Sequence, residues 1–568
     1  VKTLRLQAVP ALAGVALSVW MSLADGQTVI SKERPPLPTN MMQAPPPAER
    51  VPGEPADPDP STWGMDATTG VFRHPGATPE TSGPHPFKGS LNYLDLNQYA
   101  KNTKVEAFYP VLVSSGHTWQ TIFDLDGHRY MYDYYRDHFQ VYDITDPRKL
   151  TMVGERRFDT KNGDHPFGPF NIQYNRKLEK LIAVQCYETP RFGILKNKYA
   201  QPEKEKIIRE MKFLRGFRVF EVVTPTEWKM LSEVTLDPHA NAQQMPQQGS
   251  GCLDVPFYIG DKFVFVAGAP DDTYSLQEYK SYLYSAAQLA YDISDPYHPK
   301  LMSVWSVPGQ RIGEEAAYRE NPRHGNKTSW MGARMPLFIP RPVEQGGKYG
   351  YAAMGGLGFY VVDISDPANM KTVGHLDLPV SVAGNEGDNI DVTKAEITGM
   401  VYFSGYPMSD DCYEPYKDIY QIDVRDPAHP KITGVLPRPT PPKEAGFTDY
   451  CERRASFGPK RSGYLNQPGT PSKQYIPYSF YNAGLQIFDV SNPAHPFIAA
   501  YFVPKMADPK TSTNSGLFRT AGYGNPTHGI FVEWDRHLIW VFTNHGVYAI
   551  SSPLLGTPVF GLPKSGSS

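Results

Sequence analysis

Four histidines sit where imidazoles from distant parts of the chain can meet: His117 in SSGHTW, His165 in GDHPFG, His324 in PRHGN and His528 in NPTHG. Neutral imidazole suits Fe, Cu or Zn, and a site built from it leaves coordination positions open for a substrate. Arg323, Arg453, Glu386 and Asp388 lie in the same class of segment, and side chains of these types orient imidazoles, move protons or hold charged ligands. Trp119 and Trp330 add flat apolar surface of the kind that walls a pocket. Each has a plainer reading: histidines as polar loop anchors or substrate hydrogen-bonders, charged residues as loop salt bridges, tryptophans as core. The histidines also differ in register, since His117 lies nine residues before Asp126, His165 ten before Asn175 and His528 seven before Asp535.

What would bring these residues together is a repeat. Residues 482–496 read NAGLQIFDVSNPAHP, an apolar β-branched and aromatic run closed by Asp489 and followed by a Ser-Asn-Pro turn. The pattern recurs as VYDITDP (141–147), AYDISDP (290–296), VVDISDP (361–367) and QIDVRDP (421–427). Two degraded copies are VFEVVTP (219–225), with Glu221 in the Asp place, and VYAISSP (547–553), with Ala549 there. The anchors 143, 221, 292, 363, 423, 489 and 549 are 60 to 78 residues apart, which suits one four-stranded blade per copy with insertions.

These copies resemble the LVIVD-repeat proteins, secreted or surface bacterial β-propellers, over about residues 105–558. The expected fold is therefore all-β, a seven-bladed β-propeller spanning 89–568, with each copy marking the end of strand C and the C–D turn. Residues 554–568 are thin material for an outermost strand. The run 105–111 (VEAFYPV) is expected to take that place by pairing with 547–550, so that an N-terminal strand closes the ring. One face has short A–B and C–D turns. The other, called the top face here, carries the B–C and D–A loops at 191–215, 270–285, 309–335, 380–391, 406–417, 437–475 and 505–527. Long loops on a rigid scaffold are where binding and chemistry concentrate, and His117, His165, His324 and His528 all precede strands A there. The insert 203–214 has the spacing of a short amphipathic helix.

In the repeat frame, Cys186 and Cys252 occupy places on blades 2 and 3 equivalent to those of Cys412 and Cys451 on blades 5 and 6. Disulfides Cys186 to Cys252 and Cys412 to Cys451 are expected in an oxidising compartment; free thiols or metal ligation are the alternatives. No C-x-x-C-H run is present, which excludes covalent c-type haem.

Residues 1–24 have the basic start, apolar run and small-residue site of a signal peptide, and 25–88 form a proline-rich extended arm. A periplasmic or extracellular protein with no transmembrane segment in its mature chain is expected. The net charge of −3 gives no electrostatic case for nucleic acid. Two functions fit: a top-face central pocket binding a small molecule or protein partner, or a metal-dependent oxidoreductase or lyase using the four histidines.

Overall fold

The computed structural model describes residues 64–65, 72–73, 95, 97–110, 121–135, 138–157, 170–188, 215–236, 252, 256–260, 262–268, 287–308, 310–311, 328–329, 333, 335–355, 357–378, 383–407, 417–453, 456–463, 467–506, 527–543 and 545–563. The signal-peptide and arm assignments fall almost wholly outside these residues, and so does the expected helix at 203–214. Among the described residues no helix is long and apolar enough to cross a membrane.

The fold is an all-β seven-bladed propeller with almost no helix. Blade 1 runs Thr121–Leu125, His128–Tyr135, His138–Asp143 and Thr151–Arg157 as strands A to D. Blade 2 comprises Phe170–Asn175, Lys180–Glu188, Arg215–Val222 and Trp228–Leu236; blade 3 comprises Phe257–Tyr258, Phe263–Gly268, Ala287–Asp292 and Lys300–Trp305. In blade 4, strands B to D are Tyr349–Ala353, Phe359–Asp363 and Lys371–Leu376, and a single bridge from Phe338 to Tyr351 stands in for strand A. Blade 5 has Ala383–Asp391, Met400–Tyr406, Ile419–Asp423 and Lys431–Val435.

Blade 6 has Tyr475–Ser479, Leu485–Asp489 and Phe497–Val503 as strands B to D, with an Arg461–Ser479 bridge on the inside and Tyr99–Lys101 added outside strand D. Blade 7 has Thr527–Glu533, Leu538–Thr543 and Gly546–Ser551, and its outer position is held by Lys104–Tyr109, with Val547 opposite Tyr109 and Ser551 opposite Lys104.

Alternation along each strand sends successive side chains to opposite faces of a blade. In blade 1, Met131 and Tyr142 pack against Phe531 and Trp540 of blade 7, whereas Tyr132 and Val141 pack against Phe170 and Ile172 of blade 2. Seven apolar clusters of this kind fill the seven seams, the one between the last and first blades included. Burying each such large side chain contributes about 1.5–3 kcal/mol.

The repeat has a local physical cause. The first Asp accepts the amide two residues on, from Thr145 to Asp143, Ser294 to Asp292, Ser365 to Asp363, Arg425 to Asp423 and Ser491 to Asp489, at 2.8–3.0 Å. The second Asp or Asn repeats the bond one step later, as Arg148 donates to Asp146 and Ala494 to Asn492. The Pro carbonyl then docks on the preceding blade: Ser232 donates to Pro296 O and Ser303 to Pro367 O at 2.6 Å, and Tyr109 to Pro147 O at 3.0 Å. One motif thus ends a strand, turns the chain and joins two blades.

The structure corrects one loop. Residues 380–391 were expected among the top-face loops, yet Ala383–Asp391 is strand A of blade 5. Its polar sequence is accommodated by a bulge between Asn385 and Asn389, and the Asn389 amide donates to Tyr478 Oη at 2.8 Å across the seam to blade 6.

At the seam between blades 4 and 5, a Cβ on Gly374 would stand 2.2 Å from the Pro427 carbonyl oxygen, whereas one on Gly434 would meet nothing within 4 Å. Gly374→Ala is expected to lower unfolding free energy by about 1–3 kcal/mol. Gly434→Ala should leave the urea midpoint nearly unchanged; equal effects would contradict this account of the seam.

Candidate functional site

The top face is built where the chain enters strands A and turns from B to C. His528 is the second residue of Thr527–Glu533, the innermost strand of blade 7. His117 and His165 lie outside the described residues, four before Thr121 and five before Phe170, which open strands A of blades 1 and 2. Blades 7, 1 and 2 are consecutive in the ring, and strand A of blade 1 packs on strand A of blade 2. Three of the four histidines therefore precede or open neighbouring inner strands at the same end.

The fourth enters differently. Thr328–Ser329, four residues after His324, pairs in parallel with Ala383–Gly384 on the inner edge of strand A of blade 5. A loop from between blades 3 and 4 is thereby laid along the axial side of blade 5. Arg323, His324 and Trp330 flank this short strand but lie outside the described residues, as does Trp119. Glu386 and Asp388 fall in the bulge that follows its partner. Among the described residues no three His, Cys, Asp or Glu side chains gather as a metal-binding group.

Arg453, expected to contact a ligand, is fully buried and held by protein. Its Nε donates to Asp95 Oδ2 at 2.7 Å, and its Nη atoms donate to the carbonyls of Pro504, at 2.8 Å, and Asn482. The pair Arg453–Asp95 ties the segment before Tyr99–Lys101 to the loop that precedes strand A of blade 6. Nothing in the sequence marks two residues 358 positions apart as partners.

Cys186 and Cys252 form the expected disulfide, from strand B of blade 2 to the segment before strand A of blade 3. Cys412 lies outside the described residues, and Cys451 falls in the turn Tyr450–Arg453. The plain-face histidines have structural partners: His128 with Asp143 and His298 with Asp295 at 2.8 Å, His429 with Asp426 at 2.9 Å, and His537 with the Thr557 carbonyl at 2.8 Å.

A group of polar residues on the top side of blades 5 to 7 is buried. Lys417 precedes strand C of blade 5, while Lys460, Arg461 and Ser462 run along the inside of blade 6, and Thr527 opens strand A of blade 7; all are buried. The charges of Lys417 and Lys460 gave no signal, because isolated Lys in loops reads as solvated.

His545 lies in the B–C turn of blade 7, on the top face. Its Nε2 is 2.9 Å from Tyr548 Oη and its Nδ1 3.2 Å from Thr543 Oγ1, and Phe108 packs on its ring. Burial, with a smaller push from the Lys505 charge, lowers its pKa to about 4.

The LVIVD repeat model matches residues 343–377 and 477–502, which contain the motif copies of blades 4 and 6. The chain carries LVIVD repeats. Such repeats are found in bacterial β-propeller proteins, and the copies of blades 1, 3 and 5 share the Asp-to-amide bond of those in blades 4 and 6. No curated protein matches the chain. Among solved structures, the Cps50 (Swd1) β-propeller domain of Myceliophteria thermophila aligns over 79% of this chain and 99% of its own, at 9% identity and a TM-score of 0.39. Sqt1 of Saccharomyces cerevisiae aligns over 80% and 99%, at 6% identity and a TM-score of 0.38. Likeness at that level carries no argument about activity.

The folded-state pKa of His545 lies below the ordinary value of about 6.5, so the fold prefers the neutral ring. The stability it contributes is complete above about pH 6.5 and is lost progressively as pH falls toward 4, by roughly 3 kcal/mol. Urea unfolding across that window should show the loss in the native chain and a flatter profile in His545→Phe; an unchanged slope in the variant would contradict the assignment.

Proposed function

We propose that this chain is an exported LVIVD-type propeller whose top face, at the channel mouth, binds a small ligand or a protein partner. The observation that carries this reading is the parallel pairing of Thr328–Ser329 with Ala383–Gly384. It lays the chain that follows His324 in sequence along strand A of blade 5, whose bulge contains Glu386 and Asp388. Rigid inner strands under long loops are a common seat for recognition.

Other parts of the reading have their own support. Export to the periplasm or cell exterior agrees with the Cys186–Cys252 disulfide, since such bonds persist in oxidising compartments. Closure of the ring by the N-terminal strand is supported by the ladder between Lys104–Tyr109 and Gly546–Ser551 and by the apolar seam between blades 7 and 1. Residues 25–88 would then be a tether ahead of the propeller.

A second reading is favoured by the order of blades 7, 1 and 2. His528, His117 and His165 belong to three consecutive inner strands or the segments that lead into them in sequence, and His324 precedes Thr328–Ser329 by four residues. Such a set would be the holder of Fe, Cu or Zn in a metal-dependent oxidoreductase or lyase; the metal would supply Lewis-acid chemistry, and Glu386 or Asp388 would be the candidates to move a proton.

Thermal-shift screening of the native chain beside a His324→Ala/Trp330→Ala variant tests the first reading. Ligands are expected that raise Tm in the native protein alone; ligands acting equally on both would move the site elsewhere. Elemental analysis of protein purified from the periplasm separates the second. Near-stoichiometric metal that disappears in His117→Ala/His528→Ala is its expected outcome, and metal-free folded protein that those ions do not stabilise would overturn it.

A further inference from the structure

Blade 2 departs from the other blades on the plain face. Every other motif copy places a polar residue next to last before its proline turn residue: Thr145, Ser294, Ser365, Arg425, Ser491 and Ser551. Blade 2 has Val223 there, 45% exposed, and Thr224 in the place of Asp146, Asp295, Asp366 and Asp426. The turn does not need the valine. Its bonds run from the Val223 amide to the Glu227 carbonyl at 3.0 Å and from the Glu227 amide to Thr224 Oγ1 at 2.9 Å, which most residues at 223 would allow.

Val223 belongs to a series. Met230, 54% exposed, lies two residues into strand D of the same blade, about 7 Å from its plain end. A Cβ on Gly154 would stand 2.7 Å from Thr226 Cγ2, so the blade 2 turn lies against strand D of blade 1 beside exposed Val153. On the other side, Ser232 bonds the Pro296 carbonyl at 2.6 Å and sets exposed Tyr297 of blade 3 beside strand D of blade 2. Exposed apolar side chains of three neighbouring blades thus follow one another around one sector of the rim, and a run of this kind marks an interaction surface where a lone side chain would not.

Cations are interleaved with them. Arg176 and Lys177 stand in the A–B turn of blade 2, Lys229 precedes Met230, and Lys300 precedes exposed Leu301 at the same point of blade 3. All four cations are exposed, and none is in an ion pair among the described residues, whereas Glu221 holds Lys180 at 2.7 Å and Asp292 lies 3.7 Å from Lys262. The exposed acids of these turns are Glu179, Glu227 and Asp295, the last bonded to His298, so unpaired positive charge is in excess.

This mixture selects the occupant. Lys is depleted from the buried centre of protein interfaces, where its ammonium must be desolvated. At a bilayer the same residue lays its stem along apolar surface and keeps its charge among the phosphates, while Tyr seats at the level of the headgroups. The short turns of the plain face also suit a flat partner.

We infer that the plain-face sector of blades 1 to 3 docks on an anionic lipid bilayer, with Val153, Val223, Met230, Tyr297 and Leu301 entering the headgroup boundary and the four unpaired cations meeting the phosphates. The inference goes beyond the top-face reading and leaves that face open to its own ligand.

Flotation of the full chain with vesicles tests it, using phosphatidylcholine alone and an equal mixture with phosphatidylglycerol. The protein is expected to float with the mixed vesicles only, and less as salt is added. Lys177→Gln/Lys229→Gln should weaken partitioning about thirtyfold, the loss that two lysines at an anionic surface imply. Val223→Thr/Met230→Gln, which restores the residue type of Thr145 and keeps the chain length at 230, should weaken it about tenfold. Both variants alter exposed positions and are expected to keep the native urea midpoint. Phe497→Gln, at an exposed position on strand D of blade 6, should float like the native chain. No flotation, equal flotation on both vesicles, unchanged partitioning in either double variant, or an equal loss in Phe497→Gln would overturn the inference. A dimer in sedimentation that Val223→Thr/Met230→Gln abolishes would overturn it too, by making the sector an interface between copies.

Discussion

The ring depends on one buried carboxylate. Glu533, at the end of the innermost strand of blade 7, is fully buried and accepts from Arg129 of blade 1 at 2.5 Å, from Arg536 at 2.6 Å through two nitrogens, and from the Trp540 indole at 2.5 Å. Arg536 passes the connection on, donating to the carbonyls of Ile144 and Thr145 in the motif turn of blade 1 at 3.0 Å. Burial pushes the Glu533 pKa up, but the Arg536 and Arg129 charges and the indole bond outweigh it and hold the carboxylate ionised. Asp124 and Asp535 complete the shell of Arg129. A charge group of this kind is favourable only when every member is satisfied, so removing one leaves the others buried and unpaired. It sits where the two ends of a circular sheet array must be matched.

Elsewhere the seams are joined by the motif itself, and the degraded copies show which part of it is indispensable. Blade 7 has Ala549 in the Asp place, and that methyl fills the apolar seam with blade 1. The turn is kept by Ser552, whose carbonyl accepts from the Leu555 amide at 3.0 Å and whose hydroxyl donates to the Asn102 carbonyl at 2.6 Å. Blade 2 uses Thr224, which accepts the Glu227 amide at 2.9 Å. A short polar side chain that satisfies local amides is the requirement, and Asp is its commonest form. The first Asp also works electrostatically. Burial alone would raise Asp143, Asp292 and Asp489, but hydroxyl and amide donors two residues on hold them low; at Asp423 the Arg425 guanidinium does so.

Blade number, strand C and the C–D turns were legible because the repeat fixes them locally. The Cys186–Cys252 bond followed from the same frame. Less legible were features made by chance encounters in space. Ala383–Asp391 has a loop's composition, and only its place between a bulge and Tyr478 makes it a strand. Thr328–Ser329 has no strand pattern of its own and is defined by the edge it meets. Tyr99–Lys101 joins blade 6 through backbone pairing, which no side-chain period encodes. Of the candidate site, Arg453 read as a ligand group because loop arginines usually face solvent, whereas Asp95 takes it into the core.

Short turns, motif docking and the Glu533 cluster hold the ring. The central claim is that the segment Lys104–Tyr109, joined to blade 7 and flanked by the Asp95–Arg453 pair, is an integral strand of the propeller. Hydrogen exchange of the native full chain tests it most directly. Amides of 104–109 are expected to exchange as slowly as those of the central strand Leu538–Thr543. Exchange of 104–109 at the rate of an exposed loop, with 538–543 still protected, would contradict the account.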